Sequence, residues 1–174
     1  MAESVGAVLE KMAPEKLDEM TNLAKEFASG RTLADIHGIT LQDLEAVYSV
    51  AFNLYNNQRY DEAVKVFKFL CMHDHFQEKY WMGLGATHQM MKDFKLAASA
   101  YGYAYILDSD NPKPPLHAAD CFMADGNTKD AESALNLVLE LTKGDPEQHA
   151  AIRQRATVLM TVVKEKAAQN SASA

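Results

Sequence analysis

Residues 81–104 read WMGLGATHQMMKDFKLAASAYGYA, and the fold of the chain follows from this stretch. Small and large apolar residues recur in it at fixed offsets on both sides of a helix break at Lys92 and Asp93. They are Trp81, Leu84, Gly85, Phe94, Ala97, Tyr101 and Ala104. The pattern predicts two short helices packed on each other, because Gly85 and Ala97 leave room for a close approach of the backbones.

The pattern occurs three times without insertions, at a spacing of 34 residues. Ala97 corresponds to Ala63 in the copy before it and to Ala131 in the copy after it. The third copy is less regular, since Pro115 stands where the second copy has Trp81. A helix pair of about 34 residues is typical of the tetratricopeptide repeat. The alternative, an irregular helical bundle, has no reason to keep a fixed period.

The repeats predict an all-α chain organised as a tetratricopeptide-repeat superhelix. Three repeats, at about 44–77, 78–111 and 112–145, fall within residues 41–145. A helical region over 1–40 precedes them, and Thr40 and Asp43 predict a capping box at the first repeat helix. A capping helix over 146–167 covers the open end, and residues 168–174 form a disordered tail. We expect the repeat helices at about 41–56, 60–73, 78–91, 94–107, 115–125 and 128–142.

The net charge of the chain limits the classes of partner that it can bind. Of its 174 residues, 24 are Asp or Glu and 17 are Lys or Arg, which gives a formal net charge of −7. This balance argues against direct binding to nucleic acid or to an anionic membrane surface. No apolar run approaches the roughly 18 residues of a membrane-spanning helix, and the N-terminus lacks the basic residues of a secretory signal. Cys71 and Cys121 predict buried, reduced thiols of a cytosolic protein.

The first repeat helix has two apolar faces. The packing face consists of Val47, Val50, Ala51 and Leu54. A second face, about 100° away on the helix, carries three aromatic residues that packing does not require, Tyr48, Phe52 and Tyr55. In a two-helix repeat this face lines the concave side of the superhelix. The equivalent positions of the later repeats are Met82, Ala86, Gln89, Leu116, Asp120 and Met123.

These positions predict a groove for an extended peptide. Aromatic and Met side chains form pockets for apolar side chains, while Gln89 and Asp120 can form hydrogen bonds with the peptide backbone. His117 lies beside the concave face and is a further predicted contact. The alternative is that the aromatic residues of the first repeat are covered by the N-terminal helix of the chain or by a second subunit.

No motif predicts catalysis, a cofactor or a metal site. Cys71, His73, Asp74 and His75 are potential metal ligands, but no CxxC or HExxH spacing accompanies them. They lie at a predicted helix end, where such side chains commonly form hydrogen bonds with the backbone. His88 falls on a packing position and predicts a core histidine. The chain has no GxSxG motif, P-loop or dinucleotide fingerprint, so we predict that it is not an enzyme.

Five segments carry a more specific resemblance. They are 30–36 (GRTLADI), 44–60 (LEAVYSVAFNLYNNQRY), 67–74 (FKFLCMHD), 82–86 (MGLGA) and 117–121 (HAADC). In this order they resemble the class II chaperones of bacterial type III secretion, the SycD/LcrH, IpgC and SicA type. The resemblance extends over about residues 20–160. It departs at the proline-rich stretch 112–115, which puts the predicted contacts of the third repeat in question.

The resemblance implies a cytoplasmic chaperone of a Gram-negative bacterium. Its clients are two pore-forming translocator proteins, which it keeps soluble, separate and competent for secretion. An extended N-terminal client segment lies in the concave groove, and the resemblance makes Tyr101 a contact besides the concave residues named above. The N-terminal region takes part in a homodimer of the free chaperone, which implicates its apolar helical positions Leu17, Met20, Leu23 and Phe27. Some members also act with an AraC-type transcriptional regulator.

Three other functions fit a repeat scaffold. An adaptor that clamps the C-terminal carboxylate of a heat-shock protein needs Lys and Asn where this chain has Tyr48 and Phe52. An enzyme on a repeat scaffold needs catalytic residues, and none are evident. A secretion chaperone or regulator with a different client shares the repeats and differs only in its partner.

Overall fold

The computed structural model describes residues 13–145 and 147–172, with side chains up to residue 169. Within these ranges every regular element is an α-helix. The helices are α1 Pro14–Ala28, α2 Leu33–His37, α3 Leu41–Asn56, α4 Tyr60–His73, α5 Glu78–Met90, α6 Phe94–Leu107, α7 Lys113–Ala124, α8 Thr128–Leu141 and α9 Ala150–Ala172. Residues 1–12 of the predicted N-terminal region lie outside the described residues.

The repeat helices form three pairs that stack in chain order. α3 packs on α4, α5 on α6 and α7 on α8, and each pair packs on the next. α9 packs mainly on α8 and also touches α7. The predicted superhelix of three repeats with a C-terminal capping helix is therefore confirmed. The capping box of α3 is also present, with Asp43 N–H donating to Thr40 Oγ1 at 3.2 Å and Thr40 N–H donating to the Asp43 carboxylate at 3.0 Å.

Close contacts between glycine backbone and aromatic rings set the distance between helices. A Cβ atom added at Gly85 would lie 2.7 Å from the ring of Tyr101, and one added at Gly83 would lie 2.2 Å from the ring of Phe67. Both rings are almost fully buried. The predicted close approach at Gly85 is thus an approach of the α5 backbone to a side chain of α6.

The packing face of α3 differs from the prediction at Val50. This side chain is 53% exposed, whereas its equivalent Leu84 in the second repeat is 7% exposed. Leu84 packs against the first repeat, whereas within the described residues no repeat precedes α3, so Val50 has no equivalent packing partner there. An exposed Val50 therefore marks the open end of the superhelix.

Two helix boundaries also differ from the prediction. α7 begins at Lys113 rather than near residue 115, with Pro114 and Pro115 in its first turn. Proline fits there because the first N–H groups of a helix have no partner within the helix. α9 begins at Ala150 and continues to Ala172, so residues 168–172 are helical rather than disordered.

Candidate functional site

A cavity of about 350 Å³ opens between the first two repeats. Its walls come from α3, α4 and α5 and from the start of α7. It is lined by Tyr48, Phe52, Tyr55, Phe67, Glu78, Lys79, Met82, Gly83, Ala86, Asn111 and Lys113. Five of the predicted contact residues are among them: the three aromatic residues of α3 together with Met82 and Ala86.

The three aromatic residues of α3 differ in how firmly they are packed. The Tyr48 ring lies 6.1 Å from that of Phe67 and 5.7 Å from that of Tyr80, so it belongs to the core as well as to the cavity wall. The Tyr55 ring packs edge-on against Tyr60 at 5.7 Å. Phe52 stacks on Tyr48 at 6.3 Å and remains 49% exposed. Phe52 therefore offers the largest free apolar surface of the three.

The cavity is open with respect to the described N-terminal region. All its lining residues lie between Tyr48 and Lys113, so neither α1 nor α2 contributes to the wall. Residues 13–40 therefore do not cover the aromatic face of α3. This favours the groove over the alternative in which the described N-terminal helix masks it.

Four polar side chains also line the cavity and form its polar rim: Glu78, Lys79, Asn111 and Lys113. Lys79 forms an ion pair with Glu45. Asn111 Nδ2 donates to Glu78 Oε1 at 3.2 Å. Burial raises the pKa of Glu78 and nearby Asp108 raises it further, while Lys113 and the hydrogen bond from Asn111 oppose them. The cavity thus combines apolar lining with a few polar groups, a combination that suits a peptide.

Four other predicted contacts lie further along the superhelix. Gln89, His117, Asp120 and Met123 are each partly exposed. The Tyr101 hydroxyl donates to Gln89 Oε1 at 2.8 Å, and the Tyr101 ring stacks on His117 at 5.2 Å. Burial lowers the pKa of His117, with Arg155 and Lys113 acting in the same direction and Asp120 opposing them.

Two predicted contact residues are buried instead. Tyr101 is 2% exposed because its ring packs against the backbone of Gly85. Leu116 is 4% exposed and belongs to a core cluster that α7 shares with α8 and α9. Neither side chain offers surface to a client in this conformation, although the hydroxyl of Tyr101 orients Gln89.

Other residues of the site were not predicted from the sequence. Phe67, Gly83 and the polar rim line the cavity, but they lie outside the single helix face that the periodicity follows. Arg155 on α9 reaches Asp120, with Nη2 2.7 Å from Oδ2. Nothing in the repeat pattern indicates this contact, because α9 lies beyond the three copies.

Comparison with known proteins identifies the family. Tetratricopeptide-repeat models match residues 44–75 and 89–155. The Low calcium response locus protein H of Yersinia pseudotuberculosis is 42% identical over 118 residues, which cover 68% of this chain and 70% of that protein. The chain belongs to the class II chaperones of type III secretion. The resemblance found in the sequence is thereby confirmed.

Solved structures agree with this assignment of the chaperone. A type III secretion complex from Aeromonas hydrophila contains a chain with a TM-score of 0.78 and 34% identity, covering 84% of this chain and 97% of that one. SycD of Yersinia enterocolitica in complex with a peptide of the translocator YopD gives a TM-score of 0.68 at 37% identity, covering 74% and 97%. SycD has also been solved in an alternative dimer.

Two of the side chains considered as metal ligands, His73 and Asp74, form local hydrogen bonds in the chaperone. His73 Nδ1 is 2.9 Å from the carbonyl of Phe69, and Asp74 accepts from the backbone of Phe76 at 3.1 Å and from Gln77 at 2.9 Å. His88 is buried, as predicted. Within residues 13–145 and 147–172 no three His, Cys, Asp or Glu side chains are grouped as metal ligands. No helix in the described part is long and apolar enough to cross a membrane.

The thiols of the chaperone are buried. Cys71 and Cys121 are both free and lie in the core. Burial raises the pKa of each thiol to about 12. Since the thiolate is the reactive form, this rise in pKa lowers the reactivity of both thiols near neutral pH.

The residues predicted to form the dimer contact lie on one face of α1. No side chain of α1 is buried. Leu17, Met20, Leu23 and Phe27 remain between 38% and 46% exposed. A partner surface for this face remains a prediction.

Proposed function

We propose that this protein is a cytoplasmic chaperone that binds the translocator proteins of a type III secretion system through its concave groove. It keeps two hydrophobic translocators soluble, apart from each other and ready for export. The observation that supports this most directly is the open, aromatic-walled cavity between the first two repeats, in a chain whose relative SycD binds a peptide of the translocator YopD.

The chemistry of the cavity suits this task. A translocator that has not yet been exported exposes apolar segments, and these aggregate unless they are covered. Each large apolar side chain that enters the groove contributes about 1.5–3 kcal/mol before the cost of ordering the segment is counted. The flexible Met82 side chain at the cavity wall adapts to apolar groups of different shape. The protein acts by binding alone and performs no catalytic step.

The aromatic wall can be tested with Phe52→Ala. The YopD peptide is a suitable probe, because it is the ligand of the relative SycD. We expect at least about a tenfold loss of affinity, since removal of one apolar anchor of this size costs more than the roughly 1.4 kcal/mol that a tenfold change represents. The melting temperature should change little because Phe52 is half exposed. Fluorescence anisotropy with labelled peptide measures the affinity.

Leu96→Ala provides the matched control. Leu96 lies on α6, is 54% exposed and does not line the cavity. Its loss removes a similar apolar surface away from the groove, so peptide affinity should remain that of the wild type. An unchanged affinity of the Phe52→Ala variant, or an equal loss in both variants, contradicts the groove assignment.

A further inference from the structure

A continuous row of polar side chains crosses the chaperone from the second repeat to the capping helix. Gln89 of α5 accepts from the hydroxyl of Tyr101 on α6 at 2.8 Å, and the Tyr101 ring stacks on His117 of α7 at 5.2 Å. His117 Nδ1 lies 4.0 Å from Asp120 Oδ2, which is 2.7 Å from Arg155 Nη2 on α9. Four helices thus contribute to one row of side chains, which hydrogen bonds, a ring stack and an ion pair connect.

Two members of this row, Asp120 and Gln89, each keep one unused polar group. The contacts of Asp120 all use Oδ2, and Oδ1 has no hydrogen-bond partner among the described residues. The contact of Gln89 uses Oε1, and Nε2 has no partner within the same part of the chain. Asp120 therefore offers an acceptor and Gln89 a donor. An extended peptide backbone presents N–H and C=O groups that match this pair.

We propose that Arg155 is a positioning residue for client recognition, and that the capping helix thereby forms part of the binding site. This rests on the proposed function. Arg155 holds the Asp120 carboxylate through Oδ2, so that Oδ1 accepts a backbone N–H of the extended client segment. Tyr101 holds the amide of Gln89 in the same way, so that Nε2 donates to a backbone C=O.

The exposure of Asp120 and Arg155 distinguishes a role in client binding from a role in folding stability. The Asp120 side chain is 16% exposed, whereas that of Arg155 is 52% exposed. An ion pair with a half-exposed arginine contributes little to folding stability. The loss of Arg155 should therefore change the orientation of Asp120 and the affinity for the client more than it changes the melting temperature.

Substitution of Arg155 provides the first test, with the YopD peptide as the probe. Arg155→Ala should weaken binding about tenfold, the value of one hydrogen bond to a charged group. Arg155→Lys keeps the cation and should recover part of that loss. Lys164→Ala removes an exposed cation from the same helix away from Asp120 and should bind like the wild type. Equal binding by the Arg155→Ala and Lys164→Ala variants overturns the proposal.

A backbone N-methyl scan of the peptide tests the hydrogen bond itself. In the wild type, methylation of the peptide N–H that bonds to Asp120 should weaken binding. In the Asp120→Ala variant the same methylation should weaken binding less, because this hydrogen bond is already absent. Arg155→Ala should also reduce this difference, which a role limited to stability does not predict. If each methylation lowers the peptide affinity by the same factor in the wild type, the Asp120→Ala variant and the Arg155→Ala variant, Asp120 accepts no hydrogen bond from the client.

The two proposals fail in different ways. If the wild-type chaperone binds no YopD peptide, the proposed function fails and this inference fails with it. If the wild type binds and Phe52→Ala weakens binding while Arg155→Ala does not, the groove stands and only the role of Arg155 is refuted.

Discussion

At the scale of single residues, the turn inside each repeat depends on one residue in the left-handed region. Gln58 has a φ of 60°, Lys92 a φ of 63° and Gly126 a φ of 78°. These positions are 34 residues apart, so the same turn is built three times. Only the third uses glycine. A side chain in this conformation costs about 1–2 kcal/mol, which glycine does not incur.

Lys92→Gly should therefore stabilise the chaperone. Relief of the left-handed strain exceeds the entropy that glycine adds to the unfolded chain, and we expect a net gain of about 0.5–1 kcal/mol in the free energy of unfolding. Lys68→Gly is the matched control, because Lys68 is exposed in the middle of α4. That change should cost about 1 kcal/mol. Chemical denaturation measures both, and a Lys92→Gly variant less stable than the wild type contradicts the argument.

The same scale shows which site residues the sequence can identify. Periodicity assigns a residue to a helix face, and Tyr48, Phe52 and Met82, which it assigns to the concave face, line the cavity. It does not show how deeply a face is covered by the next element. Leu116 is buried because α8 and α9 close over it, and Arg155 joins the polar row from a helix outside the repeats. Contacts between distant segments determine both, and no local pattern encodes them.

At the scale of elements, α9 is held on the third repeat by its apolar face and also by hydrogen bonds of the Arg153 side chain. Ala156 and Val163 of α9 are buried in the core cluster of that repeat. Arg153 Nη1 donates to the carbonyl of Leu139 at 3.0 Å and to Thr142 Oγ1 at 3.2 Å. These acceptors lie at the C-terminal end of α8, where carbonyl groups lack partners within the helix. Arg153 therefore caps α8 from the neighbouring helix.

Arg153→Met tests this cap. The variant keeps most of the aliphatic stem but removes the donors, and we expect a loss of about 1.5–3 kcal/mol in the free energy of unfolding. Gln154→Met makes a similar change at the adjacent exposed position and should cost much less. Hydrogen exchange should be accelerated first in α9 and at the end of α8. Equal stability of the two variants means that the apolar face alone holds α9.

The elements also differ in how well their ends could be predicted. The start of α3 was predicted correctly because Thr40 and Asp43 form a local capping box. The start of α7 and the extent of α9 were predicted less well. Proline is compatible both with a linker and with a first helical turn, so Pro114 and Pro115 allow either boundary. The end of α9 has no strong stop signal, and its small residues are compatible with helix as well as with coil.

At the scale of the whole molecule, the two ends of the superhelix differ in how far their apolar surface is covered. At the C-terminal end, α9 buries the apolar face of the third repeat. At the N-terminal end, Val50 and Leu41 of α3 remain more than half exposed. The apolar face of α1 is also exposed, since α1 buries none of its side chains. A monomer with these surfaces open is prone to association.

We expect α1 to supply a homodimer contact in the free chaperone. A stable interface buries about 1,200–2,000 Å² of surface, counted over both subunits. Two copies of one short helix face bury less than this. The contact should therefore extend from α1 to the open end of the first repeat. The alternative dimer of the relative SycD is compatible with such self-association.

A charged double variant on the apolar face of α1, Met20→Glu with Leu23→Glu, tests this contact. Two carboxylates placed at an apolar interface without partners cost far more than they do on an exposed surface. We therefore expect the double variant to be monomeric by sedimentation velocity, with unchanged affinity for the YopD peptide because α1 does not line the cavity. Asn22→Glu, on the opposite face of the helix, should leave the dimer intact. A double variant that sediments as a dimer shows that another surface holds the subunits together, and a joint loss of dimer and peptide binding shows that the groove depends on the dimer.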